Sequence, residues 1–303
     1  MIRSRKKQPK WKKEQKKKKA QEKKSRVILG IFFLISIFLL VMGGILWKKT
    51  KNSIWDGKSN ISIVYQDDNR IRLKILLTET NKVILFNIPK TTLVQAGFGY
   101  GEYQLKNIYK LGNLEGYGGK VLSRAISDLL GINIKGFAVK KDTNLTWWDK
   151  WRVLWFEKLT AKKKGVFDLG KHEAFNKEKT SGGIEVFRVS DILIDEFVNR
   201  EMFDERLVNE SLSMAVLNAS GVEEMAKNVS RIISNAGGEV RLVSNLENKD
   251  NSKILIADKK NKDAFTIKFL KSIVLVNEIE IADIIEYRSD IVLIIGKDYT
   301  NLK

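Results

Sequence analysis

Cysteine is absent from this chain of 303 residues, which contains only one histidine and two prolines. The absence of cysteine excludes disulfides, a thiol nucleophile and a thiolate-bound metal. The single histidine, His172, has no ligand partner at metal spacing, so we expect it in a solvated loop. The glycine-rich stretch 95–103 lacks both G-x-G-x-x-G and G-x-x-x-x-G-K-S/T, which leaves a nucleotide site without support. With so little proline, the chain should consist of plain helices and strands.

The apolar run at residues 27–47 contains 21 residues without a charge. A helix of that length is about 31 Å long, close to the roughly 30 Å hydrocarbon core of a bilayer. Residues 1–26 carry 14 Lys and Arg against two Glu, and the whole chain has a net charge of +19. Because basic flanks stay on the cytoplasmic side, this pattern predicts a single-pass anchor with the tail inside and the bulk of the chain outside. Residues 48–59 would be a polar linker.

Three other interpretations of the amino-terminal end have less support. A buried core helix would need amphipathic partners on both sides, and the amino-terminal side has none. A cleaved signal peptide has a shorter apolar region, of about 7–15 residues, followed by a small-residue cleavage site. The basic tail carries no aromatic residue except Trp11, so we expect it to attract the anionic headgroups of a lipid bilayer, with no nucleic acid as partner.

The first exported segment has the pattern of an α/β domain, which we place at residues 60–205. Residues 70–77 alternate between apolar and basic, which predicts a half-buried strand with Arg70, Arg72 and Lys74 on one face. That basic face is either the solvated side of an antiparallel strand or part of an anion site. The stretch 120–130 has helical periodicity, and Gly131 stands where such a helix would end. Residues 161–185 are polar, and we expect a loop there.

Tryptophan is concentrated at residues 147–159. Trp147, Trp151 and Trp155 fall on one helical face at four-residue spacing. One interpretation is a helix whose indoles fill the domain core. The other is a membrane-interface helix, with the indoles at headgroup level and neighbouring basic side chains against lipid phosphate.

The carboxy-terminal segment, residues 212–303, reads as a second, small α/β domain after a helical junction at 189–210. Ser220 and Glu223 have the spacing of a capping box at a helix start. Strands are predicted near 239–243, 253–257, 272–276 and 290–296, with a further helix near 262–271. Nothing in this segment has the composition of a catalytic site.

Two motifs in this segment carry a resemblance to a known family. VLNASG at 216–221 and IIGKDY at 294–299 are similar to the ends of the LytR C-terminal domain found in LytR–CpsA–Psr proteins. Residues 60–140 more faintly resemble the first half of the catalytic domain of the same family. There Asp67 matches the family's strand-end aspartate and Arg70 its arginine, whereas Arg72 replaces an aspartate and Lys90 an arginine.

Active members of that family move a glycopolymer phosphate from a polyprenyl carrier onto the cell wall with a divalent ion. The resemblance therefore implies a bacterial plasma-membrane protein whose fold comprises one transmembrane helix, a mixed-sheet α/β domain and a small α/β domain. With the metal-linked aspartate replaced, we expect no cofactor and a non-catalytic binding or scaffold role towards polyprenyl-linked glycan or wall polymer. Asp67 is then the one catalytic candidate, and Arg70, Arg72 and Lys90 are the anion-binding candidates. The alternative is an active phosphotransferase, which would need Mg²⁺.

Overall fold

The computed structural model describes residues 31, 33–38, 42–44, 52–96, 100–180, 182–274, 276 and 278–300. The chain divides into two compact units, Met1–Ser53 and Ile54–Lys303. Within the predicted span 27–47, the described positions are helical and exposed, and the other positions lie outside the described residues, as does the basic tail 1–26. Among the helices that are described, none combines the length and the apolar character that crossing a bilayer requires.

The second unit begins with a six-stranded sheet in the order β7-β6-β1-β2-β3-β8. Its elements and those around it are β1 (Ile61–Gln66), β2 (Ile71–Leu77), β3 (Lys82–Ile88), β4 (Leu93–Ala96), β5 (Gly101–Gln104), α1 (Leu105–Leu114), α2 (Gly118–Leu130), β6 (Gly136–Val139), β7 (Asp142–Thr143), α3 (Trp147–Leu159), β8 (Lys164–Asp168), β9 (Phe175–Lys179), β10 (Glu185–Val189), α4 (Asp191–Met202) and α5 (Glu205–Glu210).

Helices cover this sheet on both faces because alternate strand residues are apolar on each side. On the first face, Leu73, Ile75 and Phe86 are fully buried against α1, α2 and α4. On the second face, Ile63 and Leu76 pack with Val153 of α3 and with Trp55 from the segment before β1. The result is a three-layer α/β/α arrangement, which confirms the predicted α/β class with a mixed sheet; the single membrane span remains a prediction.

Parallel pairing and the two edge strands, β7 and β8, distinguish this sheet from the sequence expectation. The antiparallel β1–β2–β3 ladder is as predicted, but β6 pairs parallel to β1 and β8 pairs parallel to β3. The prediction of a loop at 161–185 is wrong, since β8 and β9 lie there. His172 lies outside any helix or strand, between β8 and β9, as expected. It is, however, half-buried: its ring lies 4.5 Å from that of Phe197, and its Nδ1 accepts the Ala174 N–H at 3.1 Å.

A second sheet of five strands follows, in the order β12-β11-β15-β13-β14. Its elements are β11 (Ser213–Asn218), α6 (Met225–Asn235), β12 (Glu239–Asn245), β13 (Lys253–Ile256), α7 (Phe265–Ile273), β14 (Glu278–Ile281) and β15 (Ile291–Ile295). Strand β11 is buried along its whole length, and α6 and α7 cover one face of the sheet with Val229, Ile233 and Leu270.

Two local predictions in this half are wrong. Helix α6 starts after Glu224, without a side-chain cap, whereas the Ser220 hydroxyl donates to Asn218 Oδ1 at 2.7 Å. The predicted strand at 272–276 does not form: residues 272 and 273 end α7, and the strand that follows is β14.

Candidate functional site

Several strands of the first sheet terminate at a common edge. Strands β1 and β6 are parallel and end together, with Gln66 opposite Val139. Strand β3 ends beside them, because Ile88 pairs with Ile71 at the start of β2. In open α/β sheets, ligands bind beyond the carboxyl ends of the parallel strands. The four candidates Asp67, Arg70, Arg72 and Lys90 all lie at or next to this edge, and we call them the sheet-edge cluster.

Asp67 is held by the turn between β1 and β2. Its Oδ1 accepts the backbone N–H groups of Asn69 at 2.9 Å and Arg70 at 2.7 Å. Its Oδ2 forms an ion pair with Arg72 Nη2 at 3.2 Å. The hydrogen bonds from Asn69 and Arg70, helped by the charge of Arg72, lower the pKa of Asp67 below its ordinary value. Both carboxylate oxygens are therefore engaged by donors from the protein itself.

Arg70 and Lys90 flank the last residue pair of β2 and β3, and both side chains are exposed. The Lys90 carbonyl accepts the N–H of Lys106 at 3.0 Å, which fixes the start of α1 beside the cluster. Sequence reasoning missed Lys140, which follows β6 and pairs with Asp68 at 2.8 Å. The parallel pairing of β6 with β1 brings it to this edge, and recognising that pairing is the signal that would have found it.

Two carboxylates of this edge, Asp67 and Asp68, do not fit a divalent cation. Asp67 is bonded as described, and Asp68 is paired with Lys140. Within the described ranges, no group of three or more His, Asp or Glu residues has the proximity needed to hold a metal. Mg²⁺ requires free carboxylate or carbonyl oxygens and is repelled by neighbouring cations such as Arg72. The chemistry that the cluster supports is anion binding.

The basic face of β2 is covered by α3 and is not simply a solvated face. Lys74 Nζ forms an ion pair with Glu157 at 3.0 Å and has 17% of its side chain exposed. It also lies 4.8 Å from the centre of the Tyr65 ring. Burial and the negative charge of Glu157 raise the pKa of Tyr65 to about 12. Arg72, one pleat closer to the sheet edge, has a buried Nε without a hydrogen-bond partner among the described residues.

The three tryptophan candidates lie on the outer side of α3. Trp147, Trp151 and Trp155 are 52%, 46% and 54% exposed, whereas Asp149 and Val153 on the opposite side are buried. The interpretation in which these indoles fill the core is therefore wrong. Their role at a membrane interface remains a prediction.

A cavity of about 370 Å³ lies between the two sheets of the second unit, among residues of α4, α6 and α7. None of the predicted site residues lines it. Lys135 does, and burial lowers the pKa of its ammonium group.

The two sequence motifs of the carboxy-terminal segment build turns. Asn218 accepts from the Ser220 backbone and hydroxyl and donates to the Val222 carbonyl at 2.8 Å. Asp298 accepts the Ser252 N–H at 2.9 Å, and a Cβ added to Gly296 would lie 2.5 Å from the Asn251 backbone. These residues are required by the fold of the segment and form no site of their own.

A family model matches this part of the chain. Residues 211–299 match LytR_C, described as LytR cell envelope-related transcriptional attenuator. The predicted resemblance to LytR–CpsA–Psr proteins is thereby confirmed. We call residues 211–299 the LytR_C segment. Among the curated proteins, none matches this chain in sequence.

Several solved structures are similar to a part of this chain at low identity. TagT of B. subtilis is 10% identical with a TM-score of 0.39, over 47% of this chain and 89% of that one. The LytR-CPS2A-psr family protein YwtF (TagT), solved with bound octaprenyl pyrophosphate lipid, is 11% identical with a TM-score of 0.37, over 46% and 88% of the two chains. A protein from Listeria innocua, Lin1025, is 12% identical with a TM-score of 0.38, over 47% and 96%.

Proposed function

We propose that this protein is a non-catalytic binding or scaffold protein of the bacterial cell envelope. Residues 27–47 anchor it in the plasma membrane, residues 1–26 remain in the cytoplasm, and residues 48–59 link the anchor to the exported part. That part comprises a LytR–CpsA–Psr-like domain at 60–205 and a LytR C-terminal-like domain at 212–303. The LytR_C match and the basic flank of the apolar run support this organisation.

The sheet-edge cluster binds the phosphate of a polyprenyl-linked glycan or of a wall polymer. Arg70 and Lys90 are exposed cations at the end of the sheet, and guanidinium and ammonium groups are good phosphate ligands. The observation that carries the non-catalytic proposal is the bonding of Asp67, whose two oxygens are occupied by Asn69, Arg70 and Arg72. Metal-assisted phosphoryl transfer needs carboxylates that hold the ion, and at this edge Asp67 and Asp68 are already paired with Arg72 and Lys140.

The alternative is a phosphotransferase that moves polyprenyl-linked glycopolymer onto the wall with Mg²⁺. One observation favours it. Asp67 directly follows β1, the position at which the resemblance places the family's strand-end aspartate. This alternative requires that ligand binding displaces Arg72 from Asp67.

Binding of a polyprenyl phosphate to the full-length protein in detergent tests the proposal. We expect saturable binding that weakens about tenfold in Arg70→Ala and in Lys90→Ala, the loss that follows from removing one charged hydrogen-bond partner. Lys249→Ala is the matched control, because Lys249 is an exposed cation outside the cluster. Binding that is equal in all variants would contradict the anion site.

Turnover separates the two functions. With Mg²⁺ and a lipid-linked glycan, the proposed scaffold releases no polyprenyl phosphate. Release that Asp67→Ala abolishes would establish the phosphotransferase and overturn the non-catalytic role.

A further inference from the structure

Helix α3 exposes an apolar surface where a helix packed on a sheet normally presents polar residues. Its outer side carries three tryptophans together with Leu154, which is 58% exposed, and Leu159, which is 71% exposed. We call Trp147, Trp151, Leu154, Trp155 and Leu159 the tryptophan face. A contiguous exposed patch of this kind marks an interaction surface.

The indoles of this face are ordered by one another. Trp148 and Trp151 stack with centroids 5.1 Å apart and planes at 12°, and Trp151 and Trp155 stack at 5.7 Å and 15°. The inner side of α3 is fixed by buried Val153 and by the ion pair of Glu157 with Lys74. The side chains of the tryptophan face are therefore already held in place, so that binding a partner costs little side-chain conformational entropy.

Exposed charges around the tryptophan face are positive. In residues 147–164 every lysine is exposed, namely Lys150, Lys158, Lys162, Lys163 and Lys164. The two acidic residues of the same stretch are not available, since Asp149 is buried in the helix cap and Glu157 is paired with Lys74. Indoles flanked by lysines are suited to the interface of a bilayer that contains anionic lipid.

The start of the second unit is fastened to the same helix. The backbone N–H groups of Ile54 and Trp55 donate to the Asp149 carboxylate at 3.4 and 3.3 Å. Only residues 48–53 separate Ile54 from the apolar run, and six residues reach at most about 20 Å when fully extended. If residues 27–47 cross the membrane, chain length alone keeps the amino-terminal end of α3 within that distance of the bilayer.

We propose that the tryptophan face docks on the outer leaflet of the membrane that anchors the chain, with its indoles at headgroup level and its lysines against lipid phosphate. This inference rests on the proposed membrane anchoring. Docking would also fix where the sheet-edge cluster lies relative to the membrane surface. Arg72 lies two residues before Lys74 on β2, about 7 Å along the strand, and Lys74 is paired with Glu157 near the carboxyl end of α3. A docked α3 thus holds the cluster close to the surface where lipid-borne phosphate is displayed.

Single-cysteine labelling tests the docking directly, because the chain has no native cysteine. The variant Leu154→Cys places a polarity-sensitive fluorophore within the tryptophan face without altering a tryptophan. The control Ile192→Cys places it on α4, which packs on the other face of the sheet and leaves Ile192 80% exposed. Both full-length variants are reconstituted in vesicles of phosphatidylcholine with and without phosphatidylglycerol.

We expect about a twofold rise in emission of the Leu154→Cys label in anionic vesicles relative to detergent, and quenching by spin-labelled lipid. The Ile192→Cys label should show neither effect. Replacing Lys150 and Lys158 by Glu in the Leu154→Cys background should weaken both effects.

Two results would overturn the docking. The first is a Leu154→Cys label that remains as exposed to aqueous quencher as the control. The second is protection that depends on protein concentration and not on lipid, which would assign the face to a second copy of this chain. Extraction of the reconstituted protein with alkaline carbonate reports membrane anchoring separately, and polyprenyl phosphate binding reports the proposed ligand. Failure of the docking can thus be distinguished from failure of the proposed function.

Discussion

Arg231 of α6 clasps Asp195 of α4 through two hydrogen bonds. Nε donates to Oδ2 at 2.9 Å and Nη2 donates to Oδ1 at 2.7 Å, while Nη1 reaches the Asp128 carbonyl at 2.8 Å. A single side chain of the LytR_C segment thereby binds two helices that pack on the first sheet. Asn235, one turn later, donates to Asp195 Oδ1 and to the Gly131 carbonyl.

Replacing Arg231 should therefore weaken the join between the two halves. We expect Arg231→Ala to lower the free energy of unfolding by about 2–4 kcal/mol, because it leaves Asp195 Oδ2 and the Asp128 carbonyl without the hydrogen bonds that Arg231 donates. Denaturant unfolding of the full chain in detergent measures the change. Arg241→Ala is the control, since Arg241 pairs with Glu239 in an exposed position and its loss should change stability by about 0.5 kcal/mol or less. Equal effects of the two variants would contradict a stabilising role for the hydrogen bonds of Arg231 with Asp195 and Asp128.

The Asp149 carboxylate ties the start of the second unit to α3. Besides Ile54 and Trp55, it accepts the N–H of Thr146 at 2.9 Å in the capping box of the helix. Asp149→Ala leaves buried donors unsatisfied and should cost about 2–4 kcal/mol. Hydrogen exchange should accelerate at the Ile54 and Trp55 amides. Asp149→Asn retains one acceptor and should have a smaller effect. If the Ile54 and Trp55 amides of Asp149→Ala exchange as slowly as in the native chain, Asp149 does not hold this segment on α3.

Acid should weaken the hydrogen bonds between Ser213, at the start of β11, and Asp290, just before β15. Asp290 Oδ2 accepts the Ser213 hydroxyl at 2.7 Å and its N–H at 2.9 Å, and these hydrogen bonds lower the pKa of Asp290. A lowered folded-state pKa contributes stability above the unfolded value of about 3.9, and that contribution is lost as the pH falls through the folded value.

The stability gap between the native chain and Asp290→Asn should therefore be largest near neutral pH and shrink below about pH 4. Urea unfolding at several pH values measures it. Asp263→Asn is the matched control, because it removes an exposed carboxylate of the same segment that accepts no hydrogen bond from Ser213. A gap that widens in acid would mean that the carboxylate form is not the stabilising one.

Mg²⁺ should not stabilise the native chain, because the Asp67 carboxylate is already ion-paired with Arg72. Arg72→Asp removes that cation and adds a carboxylate opposite Tyr65 in the β1–β2 register. We expect millimolar Mg²⁺ to raise the Tm of this variant by about 2–4 °C. Arg72→Gln removes the cation without adding a carboxylate and should not respond. A shift of the native Tm with Mg²⁺ would contradict our account of the cluster.

Periodicity predicted the elements whose local pattern agrees with their place in the fold. Helix α3 begins at Trp147 and ends at Leu159, as its spacing indicates, and α2 ends at Gly131 with φ of 61°. The alternation of β2 is matched by buried Ile71, Leu73 and Ile75. Strand β8 was missed because an edge strand needs little apolar pattern: Lys164 and Asp168 are exposed, and backbone pairing with β3 supplies the missing support.

The candidate site was less predictable from the sequence. The sequence offered Asp67, Arg70, Arg72 and Lys90 as candidates, but the ion pair of Arg72 with Asp67 depends on the register of β1 and β2, and the position of Lys140 depends on the parallel pairing of β6 with β1. The exposure of the tryptophans also depended on tertiary packing. Helical spacing groups them on one side of α3, whereas only the packing of Val153 and Glu157 on β1 and β2 decides that this side points outward.

The sequence by itself determined the local matters: the class of fold, the bounds of the most periodic helices, the distribution of charge and the resemblance carried by the two terminal motifs. The tertiary structure decided which face of α3 is exposed and how Arg231 joins the two halves. The reason is physical. Periodicity and propensity act over a few residues, whereas these contacts join positions far apart in the chain whose proximity arises only when the sheets close.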